Sequence, residues 1–410
     1  MDMKKISQVM DNAINSGEEV GAAVVIVRDG APVGSYACGY ADAESKKPMQ
    51  TDTICRMFSC SKIATAVAAM ICLERGLIAM EDDLCRFIPE FEHSEYYADG
   101  RLYPCSRRIK VSDLLNMTSG IAYPCDEKGA EAINTVWYEL DQSYRKGNMM
   151  TTAEFAQKAA KSPLLFDVGA KWMYGSSADI MGAVIEAASG MEYRDFLKKN
   201  IFEPLGMYDT DFFVPKEKRD RLGRIYECAG EEPKEFTGTN LAIFDFEEKP
   251  NFQSGGAGLF STAEDYAKLG AALSTNGKGI ISRKTASFLT VNSLSEKQRE
   301  TFTWDSCKGC GYANFMRIVE NRNNAGMTVS DGSFCWDGWT GTYLMNDPAE
   351  KLSVSITMQR AGAGTTRLAK AVINAAESSF ECVLRNSLCV IYLPVQKAVQ
   401  LIFRVVPFFI

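Results

Sequence analysis

The sequence predicts an α/β fold: one sheet assembled from both ends of the chain, with a mostly helical block inserted between them. Three observations carry this reading. Strand-like runs occur up to about residue 58 and return between Gly311 and Gln359. From about Gly76 to Phe236 the chain is loop-rich and helical, with strand patterns rare. The closing periodic segment, "TTRLAKAVINAAES", is helical. The expected units are a discontinuous sheet domain (1–75 and 240–379), a helical domain (76–239) and an apolar extension (380–410).

Taken in order, Met3 to Asn15 reads as an amphipathic helix. "VGAAVVIVRDGAPVGSYACGYADA" follows as two β-rich runs around the turn "RDGAP", a hairpin. A polar stretch, "ESKKPMQTDT", leads into the strand-like "DTICRMF". After Lys62 the run "IATAVAAMICLERG" is apolar on nearly all faces and stops at Gly76, the pattern of a buried helix. "SADIMGAVIEAASG" and "YRDFLKKNIF" are further helices. "STAEDYAKLGAALSTNG" opens with a capping box, Ser261 to Glu264, and ends at Gly277. Strand patterns then return in "YANFMRIVEN", "GMTVSDGSFCW", "TGTYLMN" and "KLSVSITMQ". No internal repeat is present.

The 410 residues are 46% hydrophobic and 24% charged, enough for a sizeable core in an ordinary globular protein. A net charge of −7 argues against nucleic acid or an anionic membrane surface as the main partner. The start lacks the apolar core of a secretory signal, so a cytoplasmic location is expected. Thirteen scattered cysteines fit free thiols in a reducing compartment. The one C-x-x-C, Cys307 to Cys310, has no second pair and reads as chance spacing. With no metal-ligand cluster and no glycine-rich phosphate loop, no metal and no cofactor are expected.

Residues 380–410 are markedly apolar, with Glu381, Arg385, Lys397 and Arg404 as their charges and Pro394 and Pro407 interrupting them. No run there reaches spanning length. The segment either packs on the body or lies in a membrane interface, and it is the one route by which membrane association is expected. Oligomeric state is left open by the sequence.

Chemistry concentrates in "RMFSCSKIATA", Arg56 to Ala66. The single histidine, His93, falls in the polar loop "PEFEHSEYYADG" and reads as a surface residue, so a triad with an imidazole base is not offered. Ser59 and Lys62 are three apart, a spacing that puts both on one helical face. In the first turn, free N–H groups and the positive end of the helix dipole favour an oxyanion at Ser59. Apolar neighbours would pull the lysine down from its usual ~10.4 towards a range where it accepts a proton. The tetrapeptide alone reads more readily as a serine N-cap with a snorkelling lysine. Ser61 faces elsewhere on a helix, and Cys60 has no histidine to make it a thiolate.

Two later stretches bear on that choice. Tyr174 stands in "KWMYGSSADIMGAVIEAASG", just before a helix, and "FCWDGWTGTYLMNDP" puts W-D-G at the head of a strand pattern. The order S-x-x-K, Y-x-S, then W-D-G resembles the serine β-lactamase and penicillin-binding-protein-like hydrolases, in the class C-related branch that includes the family VIII carboxylesterases. "VSDLLNMTSGI", "IFEPLGMYDTDFFVP" and "SGGAGLFSTAEDYAKLG" add to the resemblance, which covers roughly residues 5–378.

The resemblance implies an antiparallel sheet flanked by helices, with the site between sheet and helical insertion. Ser59 matches the acylated nucleophile, and Lys62 its base. Tyr174 matches the tyrosine that shares proton traffic with the lysine and protonates the leaving group. Ser176 falls at a hydrogen-bonding position beside the lysine. Trp336, Asp337 and Gly338 match the third motif, on the strand lining the site. The backbone N–H groups of Ser59 and Trp339 would form the oxyanion hole.

Penicillin-recognising members usually carry Lys or His where Trp336 stands, a cation that holds a substrate carboxylate. Trp336 cannot do this, and Asp337 would repel a carboxylate if it faced the pocket. Arg360, just past the last strand, is a candidate substitute. Trp336, Trp339 and Tyr343 are either an apolar pocket wall or strand packing. The expected function is a serine carboxylesterase or acyltransferase acting on small neutral acyl esters. The alternatives are a β-lactamase or D-amino-acid peptidase of the same fold, and a non-catalytic scaffold. A scaffold would be marked by loss of Ser59, Lys62 or Tyr174, and all three are present.

Overall fold

The structure is a computed structural model that describes residues 1–227 and 233–380. Helix α1 (Lys4–Asn15) lays Ile6, Met10 and Ala13 inward, and Tyr36 on the sheet reaches back to its Asp11 at 2.8 Å. Strands β1 (Gly21–Arg28) and β2 (Ala31–Asp42) form the expected hairpin. Its turn, Asp29–Gly30, has φ of 52° and 81°, the left-handed conformation that Asp-Gly adopts readily. A short strand β3 (Lys47–Pro48) closes that edge.

Helix α2 (Ser61–Glu74) is buried from Ser61 through Cys72, as its uniformly apolar sequence requires. It ends where Gly76 turns left-handed at φ 66°. The chain then runs through mostly helical structure, including α3 (Glu131–Arg145), α4 (Thr152–Ala159) and α5 (Ser177–Ser189). Helix α6 (Ala263–Ser274) follows. Its cap is Thr262, whose hydroxyl accepts from the Asp265 N–H, and not the Ser261 box expected from sequence. Ser261 is instead paired in a two-residue strand with Cys55.

"YANFMRIVEN" folds as a hairpin of its own, β4 (Cys310–Ala313) and β5 (Met316–Val319), because Asn314 and Phe315 take φ of 51° and 63°. "GMTVSDGSFCW" yields only β6 (Phe334–Asp337), followed by β7 (Tyr343–Asp347) and β8 (Leu352–Met358). A final helix α7 covers residues 367–380. The sheet runs β4-β5-β6-β7-β8-β1-β2-β3, antiparallel throughout. The two ends of the chain meet at β1 and β8, paired from Ala22 with Met358 to Arg28 with Leu352. Helix α6 lies close on this seam: a Cβ on Gly270 would stand 2.1 Å from Ser353 Oγ, so only glycine permits the approach. Among the described residues, no helix is long and apolar enough to cross a membrane. Residues 381–410, which carry most of the apolar extension, lie outside the described residues.

Candidate active site

From Thr53 to Cys72 every residue is buried except Ser59. The segment before it is held on both sides. Cys55 and Arg56 pair with Ser261 and Phe260, and the Met57 N–H bonds the Leu259 carbonyl at 2.8 Å. Thr340 and Thr342 donate to the Arg56 and Met57 carbonyls at 3.1 and 2.9 Å. So clamped, the chain turns through Phe58 at φ 43°, a conformation that costs a bulky residue about 1–3 kcal/mol. A single 3-10 turn, Phe58–Cys60, then feeds α2. The strain is spent on lifting one serine into the cleft.

Lys62 is fully buried beneath that serine. Its Nζ lies 3.3 Å from Ser59 Oγ and donates to Tyr123 Oη at 3.0 Å and to the Gly256 carbonyl at 2.7 Å. It also sits 4.6 Å from the centre of the Tyr174 ring. Burial pulls its pKa down to about 7, against the opposing pull of Asp179, Asp337 and Cys60. Cys60 is buried and its thiol is pushed up to about 12, so it is no competing nucleophile. Ser61 is turned away, its hydroxyl accepting from the Leu259 N–H at 3.0 Å. His93 is exposed, as expected.

Tyr174 arrives from the helical block. Met173 and Ser176 donate to the carbonyls of Met117 and Ile121, so residues 117–123 and 173–176 run side by side. Gly175 allows this: a Cβ there would stand 2.0 Å from the Ile121 carbonyl oxygen. The pairing places the Tyr123 and Tyr174 rings 5.6 Å apart, both next to the lysine. Tyr174 stands beside Ser59, whose hydroxyl favours its ionised form, and its Oη accepts from Trp336 Nε1 at 3.3 Å. Burial raises its pKa, and those two neighbours oppose the rise.

Sequence reasoning missed Tyr123 and Asp179. Asp179 is fully buried in the first turn of α5, where its carboxylate accepts from Ser254 Oγ at 2.5 Å, the Gly256 N–H at 3.1 Å and Tyr123 Oη at 3.2 Å. Burial raises its pKa, with Lys62 the largest opposing influence. The available signal was an acid placed directly before the apolar run Ile180–Ile185. The "SGGAG" loop is shaped around it: a Cβ on Gly256 would stand 2.3 Å from Tyr123 Oη and 2.7 Å from Asp179 Oδ2.

Several expectations need correction. Ser176 is buried with its hydroxyl donating to the Ala122 carbonyl at 2.7 Å and accepting from Trp137 Nε1 at 3.1 Å. The place beside Lys62 that it was expected to fill belongs to Tyr123. Tyr343 is buried and donates to Cys335 Sγ, so it is strand packing. Trp336 is 2% exposed and lies under Tyr174 with ring centres 5.5 Å apart, a support for the phenol and not a pocket wall. Asp337 is turned to the buried guanidinium of Arg317, which also stacks on the Trp336 ring. Arg360 is bonded to the buried Glu19 at 2.9 Å. Gly338 is where the strand meets the segment that carries Ser59: a Cβ there would stand 2.3 Å from the Met57 carbonyl oxygen. Trp339 follows at once, its indole 5.1 Å from the Phe58 ring and 5.2 Å from Phe236.

The ten cysteines among the described residues, Cys307 and Cys310 included, are free thiols. Among the described residues no cluster of His, Cys, Asp or Glu is arranged to hold a metal ion.

A beta-lactamase family model matches residues 5–377, which take in the sheet, the helical block and every residue of this cleft. The chain belongs to the beta-lactamase family. It is a serine hydrolase and fits the esterase-like branch of that family. Esterase EstB of Burkholderia gladioli is 25% identical over 382 residues, 88% of this chain and 91% of that protein. The acyltransferase mokF of Monascus pilosus is 26% identical, over 78% of this chain and 79% of its own. Among solved structures, EstCE1, a hydrolase with promiscuous acyltransferase activity, superposes with TM-score 0.75 at 26% identity, covering 91% of this chain and 97% of its own. Simvastatin synthase of Aspergillus terreus shares the fold, with TM-score 0.76 at 20% identity over 93% and 99% of the two chains.

Proposed function

We propose that this chain is a carboxylesterase or acyltransferase that forms an acyl-enzyme on Ser59 from neutral esters of small acyl groups. The observation that carries the reading is Lys62: a fully buried amine with its pKa lowered to about 7, 3.3 Å from the hydroxyl of Ser59, the one residue of the Thr53–Cys72 stretch that is not buried. At neutral pH a substantial fraction of it is unprotonated and accepts the Ser59 proton as Oγ attacks the ester carbonyl. The carbonyl oxygen takes the developing charge, facing the backbone N–H groups of Ser59 and Trp339. The turn's own bonds use the N–H groups of Gly338 and Gly341, which leaves that of Trp339 outside them.

Tyr174, beside Ser59 and within 4.6 Å of the ammonium at its ring centre, relays the proton to the leaving alkoxide. The alcohol departs, and water or a second alcohol attacks the acyl-enzyme by the reverse path. The acyl group extends away from Tyr174, towards Trp339. There Phe58, Ile225, Ile243 and Ala257 form an apolar cluster separate from the main core, with Phe236 and Trp339 packed on it. It forms the apolar wall of a cavity of about 490 Å³ whose other lining includes Arg56, Arg219, Arg224, Glu235 and Asp245. An apolar acyl group fits the apolar wall. A carboxylate-bearing substrate is poorly served, since Trp336 is committed to Tyr174, Arg317 to Asp337 and Arg360 to Glu19.

The test is purified wild type beside Ser59→Ala, on p-nitrophenyl butyrate and a chromogenic cephalosporin. Ester turnover lost in the variant, with little cephalosporin opening, supports the reading. Turnover that survives in Ser59→Ala refutes the mechanism, and efficient cephalosporin opening refutes the substrate class.

A further inference from the structure

Trp304 is a large indole left 44% exposed, yet its ring docks edge-on against Tyr174 with centres 5.2 Å apart. Its other neighbour is Trp172, also at 5.2 Å, two residues before Tyr174. The loop that carries it is tied to the segment that carries the tyrosine. Thr301 Oγ1 accepts from the Trp172 N–H and donates to the Trp172 carbonyl, both at 2.9 Å. Gln298 Nε2 adds a bond to the Gly169 carbonyl at 2.8 Å. Trp304 is therefore a fixed apolar surface beside the phenol, where Trp172 and Trp336 are buried and Tyr123, half-buried, bonds Lys62.

This exposed indole turns an open apolar face to the space beside a proton-relaying phenol. The geometry points to the alcohol part of the ester. Tyr174 gives its proton to the leaving oxygen, so that oxygen lies within hydrogen-bond reach of Tyr174, and its substituent extends over the neighbouring surface. We propose that Trp304 is the platform for an aryl or other large apolar alcohol, as leaving group in acylation and as acceptor in acyl transfer. This rests on the acyl-enzyme reading above. In the transfer step the acceptor hydroxyl loses its proton to the Tyr174–Lys62 pair and its oxygen bonds the acyl carbon. The acyl–Ser59 ester bond breaks, and Ser59 Oγ recovers the proton.

The experiment loads the enzyme with vinyl butyrate, whose departing enol has no large group to place. Equal concentrations of 2-phenylethanol and methanol then compete for the acyl-enzyme, and the two butyrate esters are quantified by gas chromatography. Intact-protein mass spectrometry follows the Ser59 butyryl adduct. Trp304→Ala is expected to lower the ratio of phenylethyl to methyl ester roughly tenfold or more, the scale of one lost aromatic contact in a pocket, with Trp304→Phe in between. Phenylethyl-to-methyl ratios that match wild type in both variants, with the adduct present, overturn the platform and leave the acyl-enzyme standing. Absence of a Ser59 adduct in wild type overturns both.

Discussion

Lys62 and Asp179, both fully buried in the cleft, are joined through a hydroxyl: Tyr123 Oη accepts from Lys62 Nζ at 3.0 Å and donates to Asp179 Oδ2 at 3.2 Å. The acid is close enough to resist the fall in the lysine's pKa, and far enough not to hold it as an ammonium. A contact ion pair in the same site would keep the amine protonated and useless as a base. The hydroxyl spacer is thus part of how the lysine reaches its working range.

The first consequence is a pH profile. Burial lowers the Lys62 pKa to about 7, so below that value it is an ammonium and cannot take the Ser59 proton. Expected kcat/KM for p-nitrophenyl butyrate falls about tenfold per pH unit on the acid side and levels off above pH 7 to 8. A profile flat between pH 5 and 8 would rule out the lysine as base.

Asp179→Asn separates the acid's influence from that of burial. Asn retains an oxygen for Ser254 and Gly256 but removes the negative charge that raises the Lys62 pKa. The acid limb of kcat/KM is expected to move to lower pH than in wild type. A limb that stays put or moves upward contradicts the electrostatic role assigned to this residue.

Much of this was legible in the sequence, for identifiable reasons. The hairpin at Asp29–Gly30 and the buried α2 are local patterns, and the spacing of Ser59 and Lys62 bridges the 3-10 turn Phe58–Cys60 and the start of α2. The meeting of β1 and β8 required only strands at both ends of the chain. What escaped were partners decided by tertiary contact. Ser176 and Tyr123 are both polar residues near the site, and only the close pairing at Gly175 decides which faces the lysine. Asp337 looked like a repulsive charge because its partner, Arg317, lies on a neighbouring strand twenty residues earlier. The Thr262 cap was missed by one residue because Ser261 is taken by a strand pair.

Trp336→Phe tests the support beneath the phenol. It removes the Nε1 donor 3.3 Å from Tyr174 Oη, a bond that lowers the Tyr174 pKa, so the phenol becomes a weaker acid. The loss in kcat is expected to be about tenfold for ethyl butyrate, whose alkoxide needs a proton to leave. It should be distinctly smaller for p-nitrophenyl butyrate, whose leaving group does not. Equal losses on the two esters would mean the indole only packs.

Asp337→Asn addresses stability. Arg317 is 1% exposed, and Asp337 is the acid paired with it. Removing that charge strands a guanidinium in the interior, which costs on the order of 3–5 kcal/mol. A drop of that size in denaturant stability is expected, and a neutral result would show that Arg317 is compensated by other groups.

Gly338→Ala bears on the junction of strand and nucleophile. The new methyl would stand 2.3 Å from the Met57 carbonyl oxygen and 2.1 Å from Thr342 Oγ1, well inside any tolerable contact. Thr342 can rotate, but Met57 is fixed by its bond to Leu259 and immediately precedes the strained Phe58. Relief therefore comes by parting β6 from the nucleophile segment, which draws Trp339 away from Ser59. Because the displacement falls at the proposed oxyanion donors, kcat is expected to drop about a hundredfold or more with KM less affected. A variant that keeps wild-type kcat would show that the Trp339 N–H takes no part in stabilising the oxyanion.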